Sequence, residues 1–67
     1  MTREEFNDKV IATIRSKVEQ INNRYMNAIL GSLLDVIGTQ DFTGYNCSPD
    51  IVAGVILANM FRRAKEN

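Results

Sequence analysis

Residues 51–61 read IVAGVILANMF, with Asn59 the one polar side chain, and residues 28–37 carry only Ser32 and Asp35 as polar groups. Both stretches have helical length and are apolar on nearly every face a helix would present. A helix of that kind must be covered on more than one side. A chain of 67 residues offers little cover, because a domain so short buries only ~60% of the surface its unfolded form exposes. Its single cysteine cannot staple it internally. The expectation is one all-α domain whose leftover apolar faces are covered by further copies. That makes it a homo-oligomer, with dimer or tetramer favoured by symmetry.

The helix boundaries follow from local signals. Thr2-Arg3-Glu4-Glu5 is a capping-box pattern ahead of Phe6. Ile11, Ile14, Val18, Ile21, Tyr25 and Ala28 then recur at alternating spacings of three and four, which is an amphipathic helical seam. Asn22-Asn23 interrupts the helix-forming composition. However, no Gly or Pro is nearby and the seam passes through without a phase break. The sequence therefore predicts one continuous helix over 3–37, ~50 Å long at 1.5 Å per residue. A break at Asn22-Asn23 would instead fold the first helix back and give a three-helix bundle. Gly38 stands where a left-handed helix-terminating residue belongs. Ser48, Pro49 and Asp50 form a helix start, and Arg62, Arg63 and Lys65 suit the negative end of a helix dipole.

The predicted architecture is a helical hairpin. A long N-terminal helix and a shorter C-terminal one are joined by a Gly/aromatic loop, with 1–24 a charged amphipathic arm and 25–67 an apolar core. Copies are expected to meet through Ile11, Ile14, Val18, Ile21 and Tyr25 on the first helix. On the second, the small pair Gly54 and Ala58 permits close helix approach.

Several function classes are disfavoured. The chain has no His, so the commonest general base and zinc ligand are missing. Cys47 has neither an imidazole nor a second thiol as partner, and reads as incidental. Asp41 reads as a turn residue and Asp50 as a helix-start residue. The four glycines fit neither a P-loop nor a dinucleotide fingerprint. No enzymatic activity, metal or cofactor is expected. Net charge is zero, with five basic and four acidic side chains over 1–24; that mixed face argues against DNA as a partner. No apolar run approaches the ~20 residues needed to cross a membrane. The stretch TREEFNDKV has no apolar secretory segment and the cysteine is unpaired, so the expected compartment is the cytoplasm. Asn46-Cys47-Ser48 matches a glycosylation sequon by chance on this reading.

Recognition chemistry concentrates in residues 38–50, GTQDFTGYNCSPD. Phe42 and Tyr45 would either pin the loop over the helices or present a recognition surface. Thr43, Gly44 and Asn46 supply hydroxyl, backbone N–H and amide donors. With Arg62 and Arg63 of a neighbouring copy these would suit a nucleotide-like anion. The primary functional expectation is a small oligomeric adaptor or inhibitor that contacts another protein through its first helix. Chains of this size are frequent among the accessory genes of phages and mobile elements. The alternative is a sponge-like oligomer that sequesters a small anion through the loop and the basic tail.

Overall fold

The computed structural model describes residues 1–66 and contains three helices: α1 (Arg3–Glu19), α2 (Arg24–Ile37) and α3 (Pro49–Glu66). The all-α expectation holds, but the continuous helix over 3–37 and the two-helix hairpin do not. The chain breaks at Gln20–Asn23 and forms the three-helix arrangement.

The break is stabilised by Asn23 and Asn27. Asn23 leaves helical geometry at φ −117° and ψ 113°, and its side-chain oxygen accepts the Met26 N–H at 3.0 Å. That bond satisfies one of the orphan donors of the new helix start. Asn27 reaches back and donates to the Val18 carbonyl at 2.8 Å, a second bond to an acceptor that the Ile21 N–H meets at 3.1 Å, and so ties the start of α2 to the end of α1. At the other end of α1, both halves of the capping box form. Thr2 Oγ1 accepts from Glu5 N at 3.1 Å, and Glu5 Oε1 accepts from Thr2 N at 3.3 Å. α3 begins at Pro49, and the Ser48 carbonyl takes the first helical bond from Val52 at 3.1 Å. Gly38 ends α2 in right-handed geometry, φ −63° and ψ −14°, rather than the expected left-handed form. No residue among those described has positive φ.

The helices run up, down and up. Asn7 near the start of α1 bonds to the loop after α2, while Asn27 near the start of α2 bonds to the end of α1. Ile37 shares a groove with Ile56 and Met60, whereas Leu33, one turn earlier, also borders the last turn of α3 beside Arg62 and Glu66. α1 packs most extensively on α3. The bundle measures 35 × 19 × 18 Å.

Its core is Val10, Ile14 and Val18 from α1, Leu30 and Leu34 from α2, Val52, Ala53, Met60 and Ala64 from α3, and Phe42 from the loop. No polar or charged residue is buried among those described. Two members of the expected copy-to-copy seam, Ile14 and Val18, are thus inside the chain's own core. Ile11 and Ile21 are half-buried against it, and only Tyr25 of the five points outward. The physical reason is the break itself. Once α2 folds back, α1 finds its apolar partners within the same chain.

Candidate functional site

The loop between α2 and α3 is held by a side chain 35 residues away. Asn7 Oδ1 accepts the Phe42 N–H at 2.8 Å, and Asn7 Nδ2 donates to Asp41 Oδ1 at 3.1 Å. Asp41 Oδ1 also accepts from the Thr43 hydroxyl at 2.7 Å and the Thr43 N–H at 3.1 Å. Arg3 Nε lies 3.7 Å from Asp41 Oδ2, both side chains being well exposed. The Thr43 hydroxyl is the main cause holding the Asp41 carboxyl below its ordinary 3.8, at about 2. The Thr43 N–H and the Asn7 amide add to the lowering, and Arg3 contributes least. Under this clamp the Phe42 ring enters the core at 2% exposure.

The candidate residues therefore separate. Phe42 lies in the core. Thr43 is half-buried and its hydroxyl is engaged by Asp41. Gly44 and Asn46 lie exposed on the loop, and Cys47 is exposed. Tyr45 is 52% exposed and borders a groove of about 300 Å³ between the end of α2 and the middle of α3. Arg63 borders the same groove, so Tyr45 and Arg63 of one chain line a common site. Its floor is apolar (Leu33, Ile37, Ile56 and Met60), and Gln40 and Asn59 add two amides at its edge. Arg62 faces a separate depression of about 370 Å³ with Leu33, Arg63 and Glu66.

Sequence reasoning missed Gln40 and Asn59 as groove residues and Asn7 as the clamp. Asn59 was visible as the one polar residue of its run. For Asn7 no local signal exists, because its partners lie 34 and 35 residues away. A larger open groove of about 510 Å³ follows α1 from Asn7 to Glu19 and has Gly38 on its rim; it mixes Asp8, Arg15 and Glu19 with Ile11 and Ala12.

Gly54 and Ala58 are exposed on α3, and an added Cβ at Gly54 would meet nothing within 4 Å. No helix contact inside the chain uses this pair. Among the described residues no group of three or more His, Cys, Asp or Glu is placed to hold a metal, and no helix is long and apolar enough to cross a membrane. Compared with protein-family models, curated proteins and solved structures, the chain matches none.

Proposed function

We propose that the chain is a non-enzymatic binding protein that works through protein–protein contact as a homo-oligomer, an adaptor or inhibitor of another protein in the cytoplasm. The observation that carries this reading is the outward apolar surface left after the core is filled. Tyr25 and Val36 on α2 are each 67% exposed, and Ile51 and Val55 on α3 are 57% and 52% exposed. Large apolar side chains grouped on helix faces are a feature of interaction surfaces. The open groove along α1, with Asp8, Arg15 and Glu19, supplies a mixed-charge surface suited to a protein partner. The chain's mass in solution, measured by light scattering over a range of micromolar concentrations, tests the assembly. A value of 7.6 kDa throughout would overturn it. Once a partner is in hand, Arg15→Glu with Glu19→Lys, which reverses the charges along that groove, is expected to weaken its binding. Unchanged affinity would remove α1 from the contact.

A second reading has its own support. Tyr45, Arg63, Gln40 and Asn59 around an apolar floor combine a stacking ring, a guanidinium and two amides, a set suited to a nucleotide-like anion. A thermal-shift screen against nucleotides separates the two. A ligand at 100-fold excess over its Kd stabilises the fold by ~2.7 kcal/mol. Tyr45→Ala and Arg63→Ala should abolish that shift while changing the unliganded melt by no more than ~0.5 kcal/mol, as surface substitutions do. No shift with any nucleotide rejects this reading and leaves the first standing.

A further inference from the structure

We propose that two copies of the chain pack antiparallel across the outward face of α3, an inference that rests on the homo-oligomer reading and specifies its contact. Val52, Ala53, Met60 and Ala64 turn into the core. On the opposite side, the helical repeat aligns Ile51, Gly54, Val55, Ala58 and Arg62, all of them exposed. Two turns of this face are uncharged, and charges of opposite sign flank its two ends, Asp50 standing on the Gly54 edge. Asp50 lies in the first turn, and Arg62 and Lys65 lie toward the other end, with Glu66 one turn beyond Arg62 on the flank.

That polarity chooses the occupant. A second α3 laid antiparallel brings Asp50 of each copy to the Arg62–Lys65 end of the other, twice over by two-fold symmetry. It also sets each helix dipole against its opposite. A parallel copy would place Asp50 against Asp50 and Arg62 against Arg62. In the antiparallel register Gly54 of each copy faces Ala58 of the other, and the open space over Gly54 lets the two backbones approach while Ile51 and Val55 close the sides. At ~1.5 Å per residue the 18 residues of α3 span ~27 Å. A strip of that length and roughly one helix width is well below the ~800 Å² per partner of a standard interface. The dimer is therefore expected to be of micromolar strength.

The test mixes two charge-reversed full-length chains in sedimentation equilibrium, Asp50→Lys in one and Arg62→Glu with Lys65→Glu in the other. Each alone sets like charges together at both ends and should dimerise at least about tenfold more weakly than the unaltered chain. An equimolar mixture restores every opposite-sign pair and should recover the unaltered affinity. Gly54→Leu should give a folded monomer, its melt as cooperative as that of the unaltered chain. An unaltered chain that dimerises, combined with a mixture no tighter than its components or a Gly54→Leu chain that still dimerises, would overturn this contact and leave the homo-oligomer reading intact. An unaltered chain that stays monomeric to ~100 µM would overturn both.

Discussion

Asn7→Ala tests how the loop is held. The substitution removes the acceptor of the Phe42 N–H at 2.8 Å and a donor to Asp41 at 3.1 Å. A neutral hydrogen bond of this kind contributes about 1 kcal/mol net, and a donor left without a partner costs ~1–3 kcal/mol more as it becomes inaccessible to water. The Phe42 bond is only partly buried, so water can reach the vacated position and the lower end applies. The Asp41 bond is exposed, and Thr43 still donates twice to that carboxylate. The expected loss is about 2 kcal/mol. A domain of this size has a total stability of roughly 3–10 kcal/mol, and each kcal/mol moves its Tm by ~4–8 °C, so Tm should fall by ~8–16 °C. Urea unfolding followed by circular dichroism, at a protein concentration below dimerisation, measures the change. Gln20→Ala, exposed just after α1, is the near-neutral control. Asn7→Asp keeps an acceptor for Phe42 but sets a second carboxylate against Asp41, and should cost at least 1 kcal/mol. A loss below ~0.5 kcal/mol for Asn7→Ala would refute the clamp.

Other perturbations probe the same features. Phe42→Ala removes a ring buried at 2% exposure and should cost ~3–5 kcal/mol, enough to leave much of the population unfolded by circular dichroism. Gly54→Ala should stabilise the isolated chain by about 1 kcal/mol in urea unfolding, because the space above Gly54 is open and alanine is the better helix former. The Asp41 carboxyl is depressed from 3.8 to about 2 in the folded chain. Its contribution is therefore fully present above about pH 4 and is lost as pH falls through about 2. Unfolding curves between pH 5 and 2 should show this loss in the unaltered chain, and Asp41→Asn should lack that component. Parallel pH dependence in the two would refute it.

The helical class and the outer helix starts are local properties of the chain. The Thr2–Glu5 box and Pro49 act between residues three or four apart, so composition and spacing carry the information. The break at Gln20–Asn23 was also local in chemistry, an Asn23 cap on Met26. It was masked because α2 is apolar on most faces. Tyr25 and Ala28 continue the α1 seam as well on paper as Leu30 and Leu34 continue the core in space. Which of two equally apolar faces turns inward is decided by what packs against it, and only the folded α1 and α3 supply that. The same holds for the loop: two aromatics in sequence left two placements open, and tertiary structure put Phe42 inside and Tyr45 outside. Asn7, far away along the chain, anchors the Phe42 backbone and lets its ring into the core, while Tyr45 falls outside on the groove that Arg63 also borders. Contacts at such separations depend on the relative placement of whole helices, which no local pattern of residues encodes.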